Sequence, residues 1–168
     1  MTHYPRSGRV LWVGVRPQRR QPMRSVSTVR AIADHGLEHD HRARRGGSRR
    51  QVTLIQSEHL SAVGDMLECG EIMPERVRRN LLVAGINVLS LRHARFRVGE
   101  VVLEGTDLCH PCSRMEDELG LGGYNAMRGH GGITARVIEG GVIAVGDSIQ
   151  WVAAAPSKSP SKTPTTLH

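Results

Sequence analysis

Aromatic side chains are nearly absent: Phe, Trp and Tyr make up 3% of the 168 residues. A core built from this chain is therefore aliphatic, made of Val, Ile, Leu and Met. No run of about 18 apolar residues occurs, so no segment is expected to span a membrane. No apolar stretch follows Met1-Thr2-His3-Tyr4-Pro5-Arg6, so no secretory leader is expected. Cysteine is scarce and odd in number, at three, which does not make a disulfide framework. Free thiols persist in a reducing cytoplasm, and that is the expected compartment. With the aromatics go the stacking platforms that single-strand binders use, and no helix-turn-helix pattern is present. Specific nucleic-acid binding is therefore not expected, despite a formal charge of +7.

What is present is glycine, at 19 residues, and arginine. Many glycines mean many tight turns and hence many short strands. The basic balance favours an anionic partner, such as a phosphorylated small molecule, or serves solubility alone. The length suits one domain with a tail, large enough to bury about 68–70% of its unfolded surface.

Arg9–Arg16 reads as a first strand, and Met23–Ile32 alternates as a second. Asp34–Gly47 is polar and reads as a long loop, with a lone Asp40 among histidines. Arg42, Arg44, Arg45, Arg49 and Arg50 crowd its exit, either as a solvated face or as an anion cradle. Gln51–Ile55 is a compact strand. Ser57 reads as the N-cap of a helix through Leu67, and Cys69 beyond it as an inert, half-buried thiol. Leu81–Ile86 is a buried strand, and Phe96–Gly105 forms two strand segments about a Gly turn. Met115–Leu121 suits one or two helical turns, and Tyr124–Gly132 reads as loop. Ile133–Ile138 alternates as a strand, Glu139-Gly140-Gly141 reads as a hairpin turn, and Val142–Trp151 completes the strands. From Ala155 onward Ser, Pro, Thr and Lys dominate, which predicts a disordered tail over 155–168 behind a domain of 1–154. About ten short strands and one clear helix predict a mainly β fold, a β-barrel with a few peripheral helices.

Cys109-His110-Pro111-Cys112 has the spacing of several chemistries. A structural zinc site needs four ligands, and no second cysteine pair follows, although His110 and His130 could contribute. A redox pair opens a helix whose N-terminus activates the thiol; here the motif follows a strand, and no helix is expected directly behind it. A single thiolate that ligates a soft metal or carries sulfur is the third case, with Arg114, Arg78 and Arg128 as favourable charges. Two cysteines that merely pack are the fourth.

Taken in order, the pieces resemble the MOSC domain family, named for the C-terminal domain of molybdenum cofactor sulfurases, in its small stand-alone bacterial form. Those pieces are Gly36–Asp40, Arg50–Ile55, Arg78–Ile86, Phe96–Gly99, Cys109–Cys112, Gly131–Val137 and Gly140–Asp147, spread over roughly residues 8–151. The resemblance implies a MOSC-type β-barrel and the molybdenum cofactor, with Cys112 as metal ligand and catalytic residue. It implies that Arg78 and Asn80 hold the cofactor's pterin and phosphate ends, with Arg50 in another matching segment. At the level of the whole family it also carries an association with pyridoxal phosphate. His39-Asp40 stands where many members have Gly-Asp, so that loop is expected to differ in shape.

The function expected from this resemblance is an oxidoreductase that reduces small N-hydroxylated substrates at a Cys112-ligated molybdenum centre. The alternative is a sulfur carrier with a persulfide on Cys112, resolved by Cys109. No ferredoxin-type cysteine set, flavin motif or haem motif is visible, so electrons would come from a donor protein or directly from a reductant.

Overall fold

A computed structural model describes residues 1–157. Its elements, in chain order, begin with strands β1 (Gly8–Val15), β2 (Arg24–Val26), β3 (Thr28–Ile32) and β4 (Gly36–Leu37). A 3-10 turn over His41–Arg44 leads to β5 (Val52–Gln56), helix α1 (Ser57–Met66) and helix α2 (Pro74–Val77), and a second 3-10 segment spans Val88–Leu91. Then come β6 (Leu81–Ala84), β7 (Ala94–Val98) and β8 (Val101–Leu108), followed by helices α3 (Ser113–Leu119) and α4 (Gly123–Met127). Strands β9 (Ile133–Glu139), β10 (Gly141–Ala144) and β11 (Ser148–Ala154) complete the described chain.

Seven strands close on themselves in the order β11-β7-β8-β9-β5-β6-β1, and β1 returns to β11 through Gly8 opposite Ile149. The neighbours are antiparallel except β5 and β6, which run parallel with α1 and α2 as the crossover. The predicted β-barrel is thus present. Its interior is aliphatic as the composition requires, with Val, Ile and Leu side chains around the fully buried Phe96. A second apolar cluster, including Leu60, Val63, Met115 and Met127, packs the helices onto the outer face of β5.

Several expectations are corrected. Met23–Ile32 is not one strand: it breaks at Ser27, so β2 extends the barrel from β1 while β3 joins β10 and β4 in a separate sheet. The Gly140-Gly141 corner is not a hairpin, because β10 pairs with β3 and not with β9. A side chain at Gly140 would stand 2.7 Å from the Ala31 carbonyl oxygen, so only glycine lets the chain cross between sheets here. The Asp34–Gly47 loop contains β4, pinned by the fully buried Leu37, and the 3-10 turn. Within it His39 takes φ +65°, the left-handed conformation that glycine adopts freely. Helix α4 takes up the first half of the Tyr124–Gly132 segment read as loop and begins one residue before it. Ser57 is the first residue of α1 and not its cap, which is Gln56. Cys69 is exposed, not half-buried. None of the described helices is long and apolar enough to cross a membrane. Of the expected tail, Ala155 donates its amide to the His93 carbonyl at 2.9 Å, and residues 158–168 lie outside the described residues.

Candidate functional site

The two cysteines leave β8 in opposite environments. Cys109 is buried, and its amide donates to the Gly132 carbonyl at 2.9 Å. Gly131 and Gly132 are required for this approach. A Cβ on Gly131 would meet the Cys109 carbonyl oxygen at 2.1 Å, and one on Gly132 would meet the Leu54 carbonyl oxygen at 1.8 Å. Arg79 locks the same corner: it is buried without a carboxylate and donates to the carbonyls of Val77, Gly131 and Cys109 at 2.6, 2.9 and 3.4 Å. Its charge is satisfied by backbone dipoles, so it serves as a clamp.

Cys112, three residues on, is exposed and caps the N-terminus of α3. A helix does therefore follow the pair directly, contrary to the sequence reading. It starts two residues before Met115 because Met115 and Leu119, four apart, dock its buried face beside α4.

On the facing wall, Asp40 and Asn80 form a buried hub. Asp40 accepts from the amides of Arg16 and Arg42, each at 3.0 Å, and from Asn80 Nδ2 at 3.0 Å. Asn80 also donates to the Gly14 carbonyl at 3.0 Å and accepts from the amide and hydroxyl of Thr53, both at 3.1 Å. Both amide donors and the carbonyl oxygen of Asn80 are thus spent on protein. The hub fixes β1, β5 and the 3-10 turn against one another and so sets where Arg16, His41 and Arg42 point. Arg16 Nη2 lies 3.4 Å from His41 Nε2. A guanidinium only donates, so Nε2 accepts and the His41 proton sits on Nδ1, 3.2 Å from the Arg16 carbonyl.

Between these walls lies a cavity of about 810 Å³, lined by eight arginines and by both cysteines, with Asp107 as its one lining carboxylate. Arg16 is 8% exposed, and its Nε has no hydrogen-bond partner. Arg78 Nη2 is likewise buried and unpaired. Burial, and then repulsion from Arg78 and Arg42, push Arg16 down to about 10, so it stays charged at neutral pH. Burial and Arg114 push Arg78 down, partly offset by Glu118 and Cys112. Burial and Arg50 push Arg42 down, with Asp40 and Cys109 opposing. Buried, unpaired donors and crowded cations are costly without a counter-charge, so this donor set fits a polyanion. Arg78 is itself held at φ 60° and ψ 36°, left-handed backbone for a non-glycine residue, at the C-terminus of α2.

Of the site residues named from sequence, Arg50, Arg78 and Cys112 line this one cavity, and Asn80 lies behind its wall. Arg50 faces Cys109, with Nη2 at 4.0 Å from its Sγ. Of the basic run, Arg42 and Arg49 also line the cavity; Arg44 turns away to the Pro17 carbonyl, and Arg45 lies outside the lining. Arg114 joins the site and Arg128 does not. His130 faces His59, with ring centroids 5.2 Å apart, and not the cysteines. No group of three or more His, Cys, Asp or Glu side chains suited to a metal ion occurs among the described residues, which leaves zinc without a ligand set. Sequence reasoning missed Arg16, His41 and Arg79. The available signal for Arg16 was a charge ending an otherwise apolar strand.

The MOSC domain model matches residues 41–150, and the chain belongs to that family. Among solved structures it is similar to the YuaD protein from Bacillus subtilis, at 17% identity and TM-score 0.73, covering 86% of this chain and 94% of that one. It is also similar to YiiM from Escherichia coli, at 18% identity and TM-score 0.66, covering 89% of this chain and 72% of that one. YiiM from Geobacillus stearothermophilus is 16% identical at TM-score 0.69, covering 86% and 75%. At these identities the likeness is one of fold. No curated protein matches the sequence.

Proposed function

We propose that the chain binds the molybdenum cofactor in the arginine-lined cavity and reduces small N-hydroxylated substrates there. The observation that carries this reading is an exposed thiol, Cys112, on the rim of a cavity whose buried guanidinium donors, on Arg16 and Arg78, lack partners. One soft thiolate suits a metal whose other ligands come with its cofactor, and no further protein ligand set is needed. When bound, the group would supply two-electron oxygen-transfer chemistry, and Cys112 would hold its metal. Arg16, Arg78 and Arg114 hold the anionic part of the cofactor through guanidinium forks. Asn80 acts through Asp40 by fixing the loop that carries Arg42 and the end of β1. Electrons come from a donor protein or a reductant.

Protein from a cofactor-making host is assayed for reduction of an N-hydroxylated base with an artificial electron donor. Cys112→Ser abolishes turnover and Cys109→Ser lowers it only in part. The reverse order would move the ligand to Cys109.

The exposure of Cys112 three residues from Cys109 supports a second reading, a persulfide carrier. It predicts a gain of about 32 Da at Cys112 under sulfur-donor conditions, read by mass spectrometry. Persistent absence of that adduct removes it.

A further inference from the structure

The arginines outnumber what one anionic group can use. A phosphate offers three terminal oxygens, which two or three guanidinium forks saturate, yet eight arginines line this cavity. They also fall into two neighbourhoods. Arg78 has Arg114, Glu118 and Cys112 as its charged neighbours. Arg42 has Arg50, Asp40, Cys109 and Arg79. Each neighbourhood therefore contains one of the two cysteines, and Arg16 lies between them, within reach of both Arg78 and Arg42.

The Cys109 side is built, not incidental. Arg42 Nη1 reaches the Arg50 carbonyl at 3.5 Å, so the two residues are tied together. Asp40 does not neutralise the pair with its hydrogen bonds, because its oxygens accept from the backbone amides of Arg16 and Arg42 and from Asn80. The preceding residue, Arg49, is anchored to β8, where its carbonyl accepts from the Thr106 hydroxyl at 2.6 Å. The backbone beneath Arg50 is thus fixed before any ligand arrives. Arg79 lies nearby, but its guanidinium is committed to three carbonyls. That leaves Arg42, tied to the Arg50 carbonyl, and Arg50, with Nη2 at 4.0 Å from Cys109 Sγ, as two cavity-lining guanidinium groups whose hydrogen bonds include none to a carboxylate.

We propose that Arg42 and Arg50 form a second oxyanion subsite beside Cys109, separate from the Arg78 and Arg114 side, and that it holds a phosphate or carboxylate of the substrate. The preferred substrates are then N-hydroxylated compounds that also carry a phosphate or carboxylate, bound more tightly than the free base. The assignment of substrate to this subsite, and of cofactor to the other, rests on the proposed function. The existence of two subsites does not.

The test is titration of the purified full-length protein, freed of cofactor, with inorganic phosphate, followed by calorimetry and phosphorus NMR. The wild type binds two phosphates per chain. Arg50→Gln and Arg42→Gln each weaken the same site by about ten-fold or more and spare the other. Arg78→Gln weakens the other site and spares this one. Malonate that displaces phosphate from the Arg50-dependent site assigns a carboxylate; failure to displace assigns a phosphate. A single phosphate per wild-type chain, or two undisturbed sites in Arg50→Gln, overturns the proposal. Molybdenum analysis keeps the two claims apart. Two phosphate sites in protein that never takes up molybdenum retain the subsite and refute the cofactor reading. Molybdenum uptake with one phosphate site does the opposite.

Discussion

Cys109 and Cys112 stand three residues apart and have little else in common. One is buried with its backbone clamped by Arg79 and Gly132, and the other is exposed at the head of α3. On the proposed function, that difference suits Cys112 to ligation and Cys109 to a supporting place beside it. Arg78 shows a related tension between stability and use. Its left-handed backbone costs about 1–2 kcal/mol in a non-glycine residue, and its half-buried guanidinium faces Arg114. Arg78→Gly is therefore expected to raise stability by about 1 kcal/mol, read as a higher Tm, while weakening phosphate binding. Loss of both together would mean that Arg78 holds the fold and not an anion. The site residues were legible to different degrees. Arg50, Arg78 and Cys112 stand within matched segments, and the cavity unites them. The role of Asn80 was not legible, because the hydrogen bonds that spend its amide come from Gly14, Asp40 and Thr53, far apart in the chain.

At the scale of elements, the barrel strands were readable because alternation and β-branched runs mark them locally. The errors fall where partners decide. β10 alternates like any strand, and only the Gly140 contact with Ala31 shows that it leaves the barrel for β3. Helix α4 is five residues long between glycines, and its cap comes from another element. Glu116 of α3 accepts from the amides of Gly122 and Tyr124, both at 2.8 Å, and these bonds hold its carboxyl below the usual value. The Gly131-Gly132 corner permits no side chain, since the Cys109 carbonyl lies against Gly131 and the β5 backbone against Gly132. Gly132→Ala is expected to cost about 3 kcal/mol in chemical denaturation, at the top of the ordinary range. A cost below about 0.5 kcal/mol would show that the corner yields. The contact of α1 with the segment after α4 carries a pH signature. Burial, and then His130, push His59 below its ordinary 6.5, against an opposing effect of Glu58. The unfolded chain then binds the proton more readily than the folded one. Stability is full above pH 6.5 and falls as pH drops from 6.5 toward the lowered value. Melting curves of His59→Gln should show a shallower fall in that window, with part remaining from His41, which burial also lowers. An unchanged slope would place the sensitivity elsewhere.

For the whole molecule, the closed seven-strand barrel follows from an aliphatic, glycine-rich chain, and the excess positive charge is gathered where both cysteines meet the arginines. The central claim is that this cavity is a molybdenum cofactor site ligated by Cys112. Metal analysis with pterin fluorescence, on protein from a cofactor-making host, tests it most directly. The account predicts molybdenum and pterin in equal amounts, near one of each per chain, in the wild type. It predicts near-complete loss of metal in Cys112→Ser, with a melting temperature equal to that of cofactor-free wild type, and partial retention in Cys109→Ser. Wild-type protein without molybdenum and pterin, and unable to take them up, would contradict it.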